Sequence, residues 1–490
     1  MNLRNLLQSS GISPGLADPD ISSLCFDSRQ AVPGSLFFAL PGKHSDGTVF
    51  IQQAVERGAI AAIAEKEVAD STCPVVVVPD ARAAMADIGA AFFEHPDRAL
   101  KCVGVTGTNG KTTTTYLVRH IFEHAAQRCG LIGTIKYIVA DEELPAPHTT
   151  PESIDIQKIL SEIRDAGGRA VAIEVSSHAI VQNRVRGIEF DAAAFTNLTQ
   201  DHLDYHGSMD AYFEAKAGLF EALASQKHKK GRAIVNLDDR YGQRLVDQFS
   251  KRLKILTFGR SVHAEFRASA VRQEMNGTTF TLEARGKSYL VRLPLIGLFN
   301  VYNALAAIAL TVTCGVEMRA AINALAAAPQ VPGRLERVPA KRNFQVFVDY
   351  AHTDDALRNV LRTLRELNPA HIITVCGCGG DRDRAKRPLM AATAAELSDH
   401  IIITSDNPRS ENPEDILEDM QAGLRGRAHE KITERETAIR RAIELVGPGG
   451  IVLIAGKGHE KFQEFAEAKV PFDDVAVADR AITDKKGAES

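Results

Sequence analysis

Short apolar runs, each emptying into a polar or glycine-rich stretch, recur along most of the chain. After residue 100 they include RAVAIEVSS, FDAAAFTN, RAIVNLDD and LKILTFG, and later QVFVDYAH, HIITVCGCGG, HIIITSDNPR and GIVLIAGKGHE. Apolar runs of about 4–8 residues bounded by turn residues read as buried strands. Helical stretches lie between several of them. In SMDAYFEAKAGLFEAL, Tyr212, Leu219, Phe220 and Leu223 form one apolar stripe, and Ser208 is placed to cap the helix. Strands alternating with helices predict a largely parallel sheet with crossover helices, the α/β class. One segment breaks the rhythm: AEFRASAVRQEMNGTTFTLEARGKSYLVRLPL alternates around Asn276-Gly277, which predicts a small antiparallel appendage. GLFNVYNALAAIALTVTCG then returns to helix, with Gly315 as its stop.

At 490 residues the chain is long for one core, and about three domains are expected. Residues 1–90, ending near FFEHPDRAL, read as a small α/β domain, and residues 91–332 as a central domain. Pro332-Gly333 marks a hinge into a Rossmann-like α/β domain over 333–490, whose loops gather on one edge. A net charge of −4 advertises neither nucleic acid nor an anionic membrane as a partner. The start, MNLRNLLQSSGISPG, has no apolar core of signal-peptide length, and no run is long enough for a membrane span. Seven scattered cysteines make no disulfide framework, and Cys376-x-Cys378 is too close for a zinc pair. They are expected as reduced thiols of a cytoplasmic protein.

GVTGTNGKTT carries the strongest local chemistry. Glycines let backbone N–H groups converge on phosphate oxygens, and the helix that follows adds its positive end. Lys111 would reach the outer phosphates, and the Thr112 hydroxyl is a candidate Mg²⁺ ligand. The usual glycine five residues before Gly110 is replaced by Val105, leaving Gly107-Thr108-Asn109-Gly110-Lys111-Thr112-Thr113. Glu174 closes a strand where a hard carboxylate suits Mg²⁺, and His202 lies in a His/Asp cluster. Lys216, four residues after Tyr212 and four before Phe220, falls on the apolar stripe. Either its stem snorkels to water, or the amine is desolvated, loses its proton easily and reacts with CO₂. In the last domain Arg382, Arg409 and Glu460 follow strands in loops expected to converge. Two guanidiniums and a carboxylate suit a zwitterion; the alternative for Arg409 is an ordinary surface ion pair.

GTNGKTT resembles the nucleotide signature of the Mur ligases and the related folylpolyglutamate synthases, and the similarity runs over nearly the whole chain. Such enzymes use ATP to form an acyl phosphate on a carboxylate, which an amine then displaces. The resemblance implies Glu174, His202 and Thr112 as Mg²⁺ ligands, with Lys216 carbamylated by CO₂ as a fourth, and Lys111, Glu174, His202 and Lys216 as the catalytic set. It implies ATP contacts from Gly107 to Thr113 and from Asn300, Asn303, Arg334 and Asp349, with domain closure completing the site. Ser28, Lys43, His44 and Ser45 match a uridine-nucleotide site, a domain that folylpolyglutamate synthases lack. Thr149, Thr150, Ser176, Gln182 and Arg184 match contacts to a UDP-N-acetylmuramoyl dipeptide, although His148 stands where relatives often carry Asn. Hydroxyls in such motifs otherwise cap helices. Arg382, Asp406-Asn407-Pro408-Arg409, Gly456 and Glu460 match the members that add meso-diaminopimelate rather than L-lysine. A monomer is expected. A P-loop switch or motor would hydrolyse nucleotide without an amine, and a nucleotide-sensing scaffold would not turn it over.

Overall fold

The computed structural model describes residues 1–9, 19–42, 45–340 and 342–488; Lys43 and His44 lie outside the described residues. The chain divides into two compact units, residues 1–264 with 306–321, and residues 265–305 with 322–490.

The first unit opens with four parallel strands, Ser23–Cys25, Ser35–Phe38, Ala59–Ala64 and Val75–Val77, paired in chain order. Successive side chains alternate faces. Leu36 and Phe38 therefore join one core with Ile63, Met85 and Ile88, while Phe37 joins another with Ile51 and Ala62. Ile154, at the start of the helix Ser153–Asp165, packs into the first of these cores. A bidentate Arg186–Asp87 pair at 2.8–2.9 Å and an Asn183–Asp80 bond at 3.1 Å fasten the same face.

The larger sheet of this unit runs Lys254–Gly259, Arg232–Asn236, Ala192–Phe195, Lys101–Thr106, Ala170–Glu174, Cys129–Ile132, all parallel. Lys136–Val139 and Glu142–Pro145 extend it antiparallel. Lys101–Thr106 is central and buried beyond its first residue, which explains its nearly continuous apolar run. Its carboxyl end, and those of its two neighbours, place Gly107, Glu174 and Thr196 on one edge.

In the second unit the alternating segment folds into three antiparallel strands, Phe266–Glu274, Gly277–Ala284 and Lys287–Leu293, turning at Asn276-Gly277 as expected. The helix Leu298–Thr313, whose residues from 306 onward are counted with the first unit, stops before Gly315, whose φ is +100°. The main sheet has the order Glu336–Val338, Gln345–Asp349, Ile451–Ala455, Ile372–Cys376, His400–Ile403, Glu430–Lys431, parallel apart from the first strand. Both faces are covered. Ile401 and Ile403 pack with Leu361 and Leu417 on one side, and Ile402 packs with Ile439 and Val477 on the other. Among the described residues no helix is long and apolar enough to cross a membrane.

Candidate active site

The central strand hands over to the helix Lys111–His124 through Gly107 and Gly110, at φ +144° and +89°. A side chain at Gly107 would put its Cβ 1.9 Å from Thr196 Oγ1. The Gly107→Ala variant is therefore expected to lose at least ~2 kcal/mol of stability, measured by denaturant unfolding; unchanged stability would show that the loop can relax. Lys111 folds back over the loop, donating to the carbonyls of Gly107 and Thr108 at 3.0 and 2.9 Å. Asn197 Oδ1 accepts from the Asn109 amide at 2.9 Å, and Thr196 Oγ1 donates to Asn109 O at 2.7 Å, so the neighbouring strand braces the turn.

Glu174 is fully buried and accepts from the Thr112 hydroxyl at 3.0 Å and from the Thr134 amide and hydroxyl at 2.9 and 3.0 Å. The two metal candidates Thr112 and Glu174 are thus brought together. Among the described residues no group of three or more His, Cys, Asp or Glu side chains is arranged to hold a metal by itself. One carboxylate and one hydroxyl beside a phosphate loop nevertheless fit Mg²⁺, which binds hard oxygens and completes its shell with phosphates and water. His202 occupies the position before the short helix Leu203–His206, at φ +52°, and stacks edge-on against His178, centroids 5.0 Å apart. Tyr205, His206 and Tyr212 complete this aromatic cluster, which sequence reading missed because its members lie on three separate segments. Burial, with His202 adding repulsion, pushes His178 down to about 4.

Lys216 does not snorkel. Its side chain is buried in the helix Met209–Ser225, which Ser208 caps as expected by accepting from the Ala211 amide. Its Nζ donates to Gly107 O at 2.8 Å and sits 4.6 Å over the Tyr212 ring. Burial, reinforced by Lys111, holds this amine well below the ordinary lysine range. A lysine whose proton is loosened in this way is a better nucleophile toward CO₂ than an exposed one.

The acceptor residues cluster on the same unit. Thr150 Oγ1 donates to Glu174 O at 2.7 Å and lies 3.3 Å from Ser176 Oγ. Ser176 also caps the helix Ser177–Val181, so the capping role is real for this residue. Thr149 meets Thr134 at 3.1 Å, hydroxyl to hydroxyl. Arg184 donates to Thr150 O at 2.9 Å and Gln182 Oε1 at 2.7 Å, and lies 3.1 Å from Glu152. Glu152 in turn holds Arg82 of the first sheet's helix at 2.9 Å. Ser28 is buried and donates to Gln53 at 2.7 Å, and Ser45 is exposed.

In the second unit, Asn300 and Asn303 are buried and bonded to each other at 3.0 Å. Asp349 accepts from the Leu335 and Ala351 amides, and burial pushes its carboxyl up to about 6, against the Arg334 guanidinium. Arg334 stacks 4.7 Å over Tyr350. The loops after three adjacent parallel strands meet at the carboxyl edge. Gly456, at φ +117°, lets Asp406 approach: a Cβ there would lie 2.4 Å from Oδ2. Asn407 Nδ2 donates to Glu460 Oε2 at 2.7 Å. Arg409, at φ +51°, donates to Gly380 O at 2.6 Å and to Glu464 Oε2 at 3.2 Å. Arg382 is exposed, its stem beside Gly379, which Arg409 also flanks. Sequence reading missed Lys457 and Glu464. It also missed the fully buried Arg435–Asp474 pair, 2.7 Å apart, whose guanidinium reaches the carbonyls of Ser405 and Ala455 beneath two of these loops.

A glycine-rich loop between a central parallel strand and a helix, with a buried carboxylate at the next strand end, defines a P-loop nucleotide-binding enzyme. Family models match three segments: "Mur ligase family, catalytic domain" over 20–93, "Mur ligase middle domain" over 105–311 and "Mur ligase, glutamate ligase domain" over 333–458. The chain belongs to the Mur ligase family, ATP-dependent enzymes that form amide bonds, and has the three α/β domains expected. It is 45% identical over 485 residues to a protein of Solibacter usitatus, covering 98% of this chain and 97% of that one. It is 44% identical over 476 residues to one of Geobacillus thermodenitrificans, covering 96% of each. Both are named UDP-N-acetylmuramoyl-L-alanyl-D-glutamate--2,6-diaminopimelate ligase. A solved structure of a ligase with that name superposes with a TM-score of 0.72 at 34% identity, covering 98% of this chain and 99% of the other.

Proposed function

We propose that the chain joins meso-diaminopimelate to the D-glutamate carboxylate of UDP-N-acetylmuramoyl-L-alanyl-D-glutamate, in peptidoglycan precursor synthesis in the cytoplasm. The observation that carries this reading is the loop cluster of Asp406, Asn407, Arg409, Gly456 and Glu460 at one sheet edge, in a chain whose near-full-length relatives bear that ligase name. A zwitterionic terminus needs a guanidinium for its carboxylate and a carboxylate for its ammonium, and this edge supplies both. The L-lysine-adding version is not favoured by those relatives.

The phosphate-loop residues 107–113 would take the ATP phosphates through backbone N–H groups, with Lys111 on the outer phosphates and Asn300, Asn303, Arg334 and Asp349 as further contacts. Thr112, Glu174, His202 and a carbamylated Lys216 would hold Mg²⁺, which supplies positive charge against the phosphates. ATP phosphorylates the D-glutamate carboxylate, and ADP leaves. The amine then attacks the acyl carbon, and phosphate leaves as the amide forms. Ser28, Lys43, His44 and Ser45 would hold the uridine nucleotide, and Thr149, Thr150, Ser176, Gln182 and Arg184 the muramoyl dipeptide. Domain limits of 1–90, 91–332 and 333–490 and a monomeric state belong to the same proposal. Phosphate release from ATP, with the UDP-muramoyl dipeptide and either amine, tests it. Release and amide product with meso-diaminopimelate alone are expected. Preference for L-lysine would retain the ligase and overturn the amine assignment; release without the dipeptide would overturn both.

A further inference from the structure

Lys457 sits in the stretch AGKGHE and is fully buried, although glycine-flanked lysines are usually solvated. Its Nζ donates to Asn407 Oδ1 at 2.9 Å and to Glu460 Oε2 at 3.2 Å. Asn407 Oδ1 takes a second bond from the Glu464 amide at 3.0 Å, while Asn407 Nδ2 donates to the same Glu460 oxygen at 2.7 Å. Two donors at one end of the Asn407 amide fix which end is oxygen. Glu460 Oε2 is therefore filled from the protein side. Among the described residues Oε1 takes no hydrogen bond, and the side chain remains 21% exposed.

We infer that Lys457 is a specificity-determining, positioning residue: it aims Glu460 and neutralises it, so that the site selects a zwitterionic amine terminus over a plain ammonium. The inference rests on the substrate reading given above. An uncompensated carboxylate attracts any ammonium, and more strongly as water is excluded. Paired with Lys457, Glu460 offers one free oxygen and little net field. A ligand ammonium alone then gains little. A ligand that also places a carboxylate on Arg409 satisfies both groups at once. Around the site, Lys457, Arg409, Arg382 and Lys469 stand against Glu460, Glu464, Asp406 and Asp381, a balanced set of charges that matches a ligand end with no net charge.

The test uses the full chain with Lys457→Met, measuring kcat/KM for meso-diaminopimelate and for L-lysine at saturating ATP and dipeptide, beside the KM for ATP. The ratio favouring diaminopimelate is expected to fall about 10–100-fold, with the KM for ATP little changed. Adding Lys457→Met to Glu460→Gln is expected to cost nothing further, because Lys457 acts through Glu460; this comparison still reads out if the single variant is unstable. An unchanged ratio in Lys457→Met, or full additivity in the double variant, overturns the inference alone. A wild-type chain that uses neither amine overturns the substrate reading, and this inference with it.

Discussion

Lys216→Ala is expected to fold, to bind ATP, and to lose ~10²–10⁴-fold in kcat. The amine lies where the loop carbonyl of Gly107 and the Tyr212 ring exclude water, with a second lysine, Lys111, close by. Desolvation and that like charge both disfavour the ammonium, so the amine gives up its proton more readily than an exposed lysine does. Acidification returns the proton, so carbamate formation should fade as pH drops. Attack of the deprotonated nitrogen on CO₂ would form an N–C bond and release one proton, and would convert a group that repels Mg²⁺ into an anion that could attract it. Three readouts separate this from a packing role. The wild-type chain kept free of CO₂ should lose activity and regain it with bicarbonate. Mass analysis of the intact protein should show the added CO₂. A short-chain carboxylate should partly restore Lys216→Ala. Full activity in Lys216→Ala would remove the carbamate from the mechanism. Because truncation removes a desolvated amine as well as packed methylenes, the unfolding midpoint should move little.

What could be read from the chain divides by the range of the interactions. The loop from Gly107 to Lys111 was legible because strand, glycines, lysine and helix are consecutive, and local backbone chemistry dictates them. The cap at Ser208, the turn at Asn276-Gly277 and the stop at Gly315 are local in the same sense. The burial of Lys216 was legible as a position on a stripe but not as a fact, since periodicity gives the face of a helix and not what covers it. Lys457 escaped notice because Asn407, which ties it into the site beside its near neighbour Glu460, is brought in by the pairing of parallel strands far apart in sequence. Glu464 escaped for a related reason: it belongs to the short hairpin Phe462–Glu464 with Lys469–Pro471, whose two strands carry no apolar alternation. The Arg435–Asp474 pair joins the starts of two helices, and nothing in either segment names the other.

Arg409→Ala is expected to raise the KM for diaminopimelate by ~30-fold or more while leaving the KM for ATP within about twofold. The guanidinium is not a free surface cation. Its backbone amide donates to Glu464 O at 2.9 Å, Nε to the Glu464 carboxylate, and one terminal nitrogen to Gly380 O. These contacts hold the fork from two directions with its backbone in the left-handed region, a conformation that costs ~1 kcal/mol or more for a side chain of this size. Glu464 is shared, since Lys469 also approaches it at 3.3 Å, so part of the Arg409 charge remains for a ligand carboxylate. A planar donor fixed in this way recognises a carboxylate through geometry, and a lysine in its place supplies charge without the fork. Arg409→Lys should therefore recover only a fraction of the lost affinity for diaminopimelate. For L-lysine, which has no distal carboxylate, Arg409→Ala should change kcat/KM far less than for diaminopimelate. Equal losses for the two amines, or equal shifts in the KM of amine and ATP, would mean that Arg409 braces the loop through Glu464 and Gly380 and does not read the substrate.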